Sequence, residues 1–339
     1  MPSLVDLSKL LSGIVDAAHY GASTIRRLSL KARTESIHFK EQGEVRSAMT
    51  IADVAAQKII VSSLKHSFPF LQIIGEEDES VNIDSNEAVE LRLNLDLDFA
   101  EGVFPNNMND IPTMVANSDI VVFVDPLDGT REFIEGRFEN VQCLIGVCYK
   151  NVPYMAAIGL PFVKDSDDFE IIYGMVGKGI GKRVVKSDMS IEKMIIPTLE
   201  PYSDGDPIFL VTGDSNSKLL KESMEVFRSV LPNSQHQILG ACGNKMIQVM
   251  LGKSTVAVMH NKTSLWDTCA PSALLHAVGC HVTDLLGDPL DYSSRRDFAN
   301  KLGIVASTRG ARKLHDDATL AIRRNDKIQG LLRLEPTVS

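Results

Sequence analysis

Three acidic stretches contain groups that could do chemistry. Glu76, Glu77 and Asp78 follow the apolar run "LQII", Asp125 and Asp128 follow "VVFV", and Asp267 follows "SLW". If they share one pocket, each pair of carboxylates about 4 Å apart costs about 4 kcal/mol at an effective dielectric of about 20. That is a large part of the roughly 5–15 kcal/mol by which a folded domain is stable. A positive charge must then sit among them, and no Lys or Arg lies within these stretches before Arg131. Carboxylate oxygens on stiff strand ends suit Mg²⁺, a hard cation that takes oxygen ligands. Taken singly, each stretch also reads as a solvated turn; the local detail of one of them favours the shared site.

That stretch is "DPLDGT", residues 125–130. Pro126 fixes its own φ and stiffens the turn, so Asp125, the Leu127 carbonyl and Asp128 can face one centre. Gly129 lets backbone approach a ligand closely, and Thr130 adds a hydroxyl. If a helix follows, the amides of Gly129 and Thr130 form a phosphate site at its start. Cation and phosphate side by side is the arrangement used in metal-assisted phosphoester hydrolysis.

The elements that must position these groups follow from periodicity. Residues 4–30 carry Leu4, Leu7, Leu10, Leu11, Ile14, Val15 and Ala18 at helical spacing. Residues 50–68 repeat the pattern, with Thr50 as N-cap and Asp53 three residues on, a capping box with Asp in place of Glu. A short strand ends at Gly75, and residues 80–118 are polar and mixed, which reads as an insertion or mobile excursion rather than core. "VQCLIGVCYK", "PYMAAIGLP" and "FEIIYGMVGKGIGKRVV" predict an antiparallel meander. Within it "GKGIGKR" lacks the spacing of a phosphate loop and reads as a hairpin turn. Residues 190–310 alternate strand and helix patterns, an α/β rhythm. The changeover near residue 185 divides the chain into an N-terminal α+β subdomain (1–185) and a C-terminal α/β subdomain (186–330). The run 31–40 reads as a solvated connection, His276 and His281 as packing or surface histidines, and Trp266 as a packing residue that positions Asp267, with its ring bordering the substrate pocket as the alternative.

Composition narrows the function classes. Of 339 residues, 44% are hydrophobic and 23% charged, the profile of a globular protein. A net charge of −9 argues against nucleic acid as partner. The five cysteines form no CxxC pair and cannot all be paired, which fits a reducing compartment. The amino terminus lacks a signal peptide's basic start, and no run approaches the roughly 20 apolar residues of a membrane span. The expectation is a cytoplasmic protein without membrane contact.

"GEED" (75–78), "DPLDGT" (125–130) and "WDTCAP" (266–271), in that order, resemble the signature of the inositol monophosphatase superfamily of Mg²⁺-dependent, lithium-sensitive phosphatases. "TIAD" (50–53), "VDPLDGTREFIEG" (124–136) and "GNKMIQVMLGK" (243–253) make the chain most similar to its 3′(2′),5′-bisphosphate nucleotidase branch. The likeness spans residues 4–310. It implies a layered αβαβα sandwich of two joined subdomains, with Glu76, Asp125, Asp128, Asp267 and the Leu127 carbonyl as ligands to two or three Mg²⁺ ions. Thr130, Glu76 and Asp53 would polarise the attacking water. Gly129, Thr130, Thr212, Ser215, Ala241 and Lys245 would bind substrate. The implied reaction is hydrolysis of the 3′-phosphate of adenosine 3′,5′-bisphosphate, and of its 5′-phosphosulfate relative, by a monomer or homodimer.

The chain departs from that branch in one segment. Thr212 matches, but Gly213, Asp214 and Ser215 stand where Arg, Ser and His are usual, and Ala241 replaces a glycine. A carboxylate gained near a phosphate should weaken binding. An inositol polyphosphate 1-phosphatase, or a dual activity, therefore stays open, although "DGT" and "GNK" favour the nucleotidase. A catalytically inert binding protein is the alternative from another class; it should have lost a ligand, and none of the matched acids is lost.

Overall fold

The computed structural model describes residues 3–34, 38–39, 48–77, 88–100, 113–196, 200–259, 262–293 and 297–334, with backbone alone for 30–34, 38–39, 48–49 and 334. Strand β1 (Leu4–Asp6) leads into α1 (Leu7–Thr34), and the Asp6 carboxylate accepts from the Ser8 and Lys9 amides at 2.9 and 3.1 Å. Those amides have no partner inside the helix, which is why a short acidic residue belongs there. A small ribbon, β2 (His38–Phe39) with β3 (Ala48–Met49), precedes α2 (Ile51–Ser67) and β4 (Gln72–Gly75). β5 (Met114–Ala116) pairs with β1 and is followed by β6 (Ile120–Asp128) and the short α3 (Thr130–Glu135).

The predicted meander is present as β7 (Gln142–Tyr149), β8 (Val152–Leu160), β9 (Phe169–Met175) and β10 (Gly179–Val185), extended by β11 (Ile191–Met194). β9 and β10 are the hairpin expected at "GKGIGKR". These strands form a seven-stranded sheet in the order β11-β10-β9-β8-β7-β6-β4, antiparallel except where β4 joins β6. β6 is buried along its whole length, which explains an apolar run without alternation.

The remainder alternates as expected: β12 (Phe209–Thr212), α4 (Lys218–Val230), β13 (Gln235–Ile238), α5 (Cys242–Met250), β14 (Val256–Met259), α6 (Leu265–Ala277), β15 (His281–Thr283) and β16 (Ile304–Ser307). Helices α7 (Arg312–Arg323) and α8 (Asp326–Leu334) follow. The second sheet has the order β13-β12-β14-β16-β15. The strands change sheets between residues 194 and 209.

Three apolar clusters separate five layers. Leu10, Ile14, Ile60 and Leu64 of α1 and α2 pack on Val122, Val124 and Ile145. The opposite face of that sheet, through Leu144, Ile158 and Ile172, meets α5 and α6 and the inner face of the second sheet at Ala257 and Met259. The outer face, Val256 and Val258, carries α4, α7 and α8 through Phe227, Ile322 and Ile328. The architecture is the expected αβαβα sandwich. α6 lies between two sheets and must approach closely: a Cβ at Gly146 of β7 would lie 2.4 Å from the Ala270 amide nitrogen, so only glycine fits.

Two expectations need correction. The described parts of 80–118 are not an excursion away from the core. Leu91 and Val115 are buried in the first cluster, and Arg92 donates from its amide and Nε to the wholly buried Asp16 carboxylate, both at 2.9 Å. Polar composition hid this because the acid that holds the segment lies in α1. Residues 31–34 belong to α1 rather than to a connection. Residues 78–87 and 101–112 lie outside the described residues.

Candidate active site

Each acid of the site is placed by a local device. β4 runs parallel to β6, and the Glu76 amide continues that ladder by donating to the Val124 carbonyl at 3.0 Å. Behind it Gln57 of α2 clamps Glu77, giving its Nε2 proton to the Glu77 carbonyl at 2.7 Å and accepting the Glu77 amide at 3.0 Å. On β6 the register breaks between Asp125 and Asp128, where Pro126 has no proton for the ladder, and the Asp125 carboxylate accepts from the Leu127 amide at 3.0 Å.

Asp267 is not at a strand end, as its apolar flank suggested; it occupies the first turn of α6, in a capping box with Ser264. Asp53 holds the equivalent place in α2, where the expected capping box with Thr50 is present. Its carboxylate accepts from the Thr50 amide at 2.8 Å and from the Thr130 hydroxyl at 3.0 Å. Asp128 accepts from the Cys242 and Gly243 amides at 3.0 and 2.6 Å, the start of α5. Gly129, at φ +90°, turns the chain into α3. Four helix starts thus converge on these acids, and their partial positive charge offsets part of the repulsion.

Carboxylate oxygens of Asp125, Asp128 and Asp267 all lie within 4.8 Å of one another; among the described residues they are the one group of His, Cys, Asp or Glu that could hold a metal ion. All three are pushed above the ordinary aspartate range by burial first. For Asp125 and Asp267 the repulsion of Glu76 and of one another's partners adds to it; for Asp128 the amides of α5 and the Lys245 ammonium pull the other way. Asp53 is raised to about 7, again by burial, with Glu76 and Glu77 adding and the Thr50 hydrogen bonds opposing. Crowded, buried carboxylates that offer oxygen donors only are a donor set matched to a hard divalent cation.

One cleft of about 280 Å³ is lined by Glu76, Asp125, Leu127, Asp128, Gly129, Thr130, Ser215, Ala241, Lys245 and Asp267. Of the residues singled out in the sequence, two stand apart. Asp53 reaches the cleft through the Thr130 hydroxyl. Thr212 is buried in β12 with its hydroxyl 2.8 Å from His236 Nε2, and it does not line the cleft. Asp78 lies outside the described residues. Trp266 lines the cleft, half-buried, with its ring 5.5 Å from that of Phe298, so it is more than a packing residue. Sequence reasoning missed Arg131, which lines the cleft and is ion-paired with Asp214; its place directly after "DGT" was the available signal. It also missed the Cys242 and Gly243 amides, for which no side chain gives a signal.

Fold and site together define a class: layered α/β proteins with a buried carboxylate group suited to divalent cations beside a helix start suited to phosphate. The inositol monophosphatase family model matches residues 6–326, and the chain belongs to that family, one of metal-dependent phosphatases. Human 3′(2′),5′-bisphosphate nucleotidase 1 is 30% identical over 309 residues, 89% of this chain and 92% of the relative. Among solved structures, the extragenic suppressor protein suhB from Bartonella henselae matches with a TM-score of 0.64 at 17% identity, covering 92% of this chain and 98% of that one. The 2′AMP-bound SaIMPase-II matches with a TM-score of 0.60 at 19% identity over 94% and 95% of the two chains. No helix of the described residues is long and apolar enough to cross a membrane.

Proposed function

We propose that this protein is a Mg²⁺-dependent, lithium-sensitive phosphomonoesterase that hydrolyses the 3′-phosphate of adenosine 3′,5′-bisphosphate, and of its 5′-phosphosulfate relative, to release inorganic phosphate. The observation that carries the reading is the gathering of Asp125, Asp128 and Asp267 within 4.8 Å, directly before the Gly129–Thr130 helix start. The similarity to the human nucleotidase supports the substrate, and a structural neighbour with 2′AMP bound supports a nucleotide monoester in a fold of this kind.

Asp125, Asp128, Asp267, Glu76 and the Leu127 carbonyl would hold the Mg²⁺ ions. Bound there, the ions supply charge to activate water and to neutralise the leaving oxygen. The chain's own groups do the rest. Amides at the start of α3 orient the phosphate. The Thr130 hydroxyl, held between Asp53 at 3.0 Å and the Leu127 carbonyl at 3.2 Å, is fixed where it can orient a water and relay its proton toward Asp53. Asp53, wholly buried and held by the Thr50 amide, is the acceptor at the end of that relay. No covalent phosphoenzyme is needed, since no nucleophilic side chain is required for in-line attack by water.

A second reading, an inositol polyphosphate 1-phosphatase, is favoured by one observation: Asp214 puts a carboxylate on the cleft wall, an acceptor for ring hydroxyls. All five cysteines are free and buried, which supports a reducing compartment such as the cytoplasm. The test is phosphate release from adenosine 3′,5′-bisphosphate and from inositol 1,4-bisphosphate in parallel, with Mg²⁺, with EDTA and with Li⁺ added. Nucleotide turnover that is lost with EDTA and inhibited by Li⁺ is the expected result. Turnover of the inositol ester alone selects the second reading, and silence on both leaves an inert homologue.

A further inference from the structure

Among the described residues, six carboxylates and three cations line the cleft. Glu76, Asp125, Asp128 and Asp267 form the acidic centre. Glu132 is neutralised away from the opening by Arg137, whose Nε and Nη2 donate at 2.6 and 2.7 Å, and by Asn140 at 2.8 Å. The sixth, Asp214, is different. It sits between β12 and α4 with its side chain 52% exposed, and it is ion-paired with Arg131, the residue after Thr130. The guanidinium is shared, because Arg131 Nε also donates to Glu135 at 2.8 Å. The Lys245 ammonium is directed to the Leu239 and Ala241 carbonyls. Gly213 lies beside that lysine: a Cβ there would be 3.8 Å from Lys245 Nζ.

We propose that the Arg131–Asp214 pair sets the charge selectivity of the cleft toward the part of the substrate that is not hydrolysed. Asp214 occupies the guanidinium that a second anionic group would otherwise use, and its own charge repels such a group. A carboxylate only accepts hydrogen bonds, so it receives hydroxyls and disfavours a phosphate. On this wall Asp214 shifts the balance toward a hydroxyl-bearing second arm and away from a second phosphate, relative to the same cleft without that carboxylate. A bisphosphate is therefore bound more weakly than it would be without Asp214. The inference rests on the reading of the cleft as a phosphomonoester site.

The test compares adenosine 3′-monophosphate with adenosine 3′,5′-bisphosphate, which share the scissile ester and differ by the 5′-phosphate. In Asp214→Asn the KM for the bisphosphate, relative to that for the monophosphate, falls about three- to tenfold, while kcat moves alike for both. Arg131→Gln moves the KM ratio the other way, and Asp214→Glu, which keeps the charge, holds it near the natural value. An unmoved ratio in Asp214→Asn, or an equal shift in Asp214→Glu, overturns the proposal. Calorimetric titration with AMP and with adenosine reads the same wall without hydrolysis. If the protein releases phosphate from neither nucleotide, the functional reading fails by itself; a rise in the AMP-to-adenosine affinity ratio in Asp214→Asn still supports the selectivity role, and no rise overturns it.

Discussion

The Thr130 hydroxyl lies 3.0 Å from Asp53 Oδ1, joining the first turn of α3 to the first turn of α2 across 77 residues of chain. Neither group needs the other for its helix: Asp53 already closes the α2 capping box, and Gly129 already starts α3. If the contact serves a proton relay, Thr130→Ala and Asp53→Asn each lower kcat about 100-fold or more, the range for a lost general acid–base partner. Thr130→Ser keeps most of the activity. The control is stability, since a lost capping contact costs about 1 kcal/mol; a Thr130→Ala enzyme with near-normal kcat removes the relay from the mechanism.

Asp125→Asn and Asp128→Asn are expected to abolish turnover; with EDTA, Asp125→Asn leaves the protein as stable as the natural chain or more so, whereas Asp128→Asn loses part of that gain because its NH2 group faces one of the α5 amides. Each change removes one of several crowded carboxylates that burial already drives toward the protonated form. Melting temperatures with EDTA, beside rates with Mg²⁺, check both halves. Rates near that of the natural chain would exclude the ligand role.

The pH dependence of metal-free stability has a definite sign. Asp53 titrates at about 7 in the folded protein and near 3.8 when unconstrained. Between those values the native state keeps a proton that the unfolded chain has released, so stability falls as pH rises through the window. Buried His19 and His315, pushed down to about 4, act in the opposite direction below their ordinary 6.5. The difference between Asp53→Asn and the natural chain isolates the carboxyl: with EDTA present, the variant's advantage in denaturation midpoint grows from pH 4 to pH 7 and then levels off. A flat difference contradicts the burial of a proton-holding Asp53.

Ala241 adopts φ +59° and ψ 146° at the start of α5, a conformation that costs a non-glycine residue about 1–3 kcal/mol. Glycine gives back about 0.4–1 kcal/mol through its freer unfolded chain. Ala241→Gly should therefore stabilise by about 1 kcal/mol, measured by urea denaturation. A less stable variant would mean that the alanine methyl, against Gly129, is worth more than the strain it carries.

Gly146→Ala tests the frame. With 2.4 Å between a new Cβ and the Ala270 nitrogen, α6 must move or β7 must bend. Overpacking of this kind costs about 1–3 kcal/mol, and because Asp267 rides on α6, Mg²⁺ affinity should fall as well. Unchanged stability would show that the interlayer contact is looser than the backbone distance implies.

Much of this was legible in the chain because the signals are local. The Thr50–Asp53 box is a three-residue spacing, the turn after β6 announces itself through Pro126 and Gly129, and the meander strands alternate with turn residues. What escaped depends on partners far apart. Asp128 takes its amides from residues 114 and 115 positions away, Asp214 finds its cation 83 positions back, and Arg92 is fastened to Asp16 across 76. Polar composition alone cannot distinguish a solvated segment from one tied to a buried acid. Thr212 shows the converse: a motif match pointed to the cleft, whereas its hydroxyl is bonded to His236 on the neighbouring strand β13.

α6 carries Asp267 in its first turn and is wedged between both sheets along the rest of its length. It behaves as a lever whose short arm is a carboxylate and whose long arm is interior packing. Variants at Leu274 or Ala277, about two to three turns further along the helix from Asp267, would then upset ion affinity by tilting that arm, so inherited or engineered changes deep in the interior should be judged by metal dependence as well as by melting.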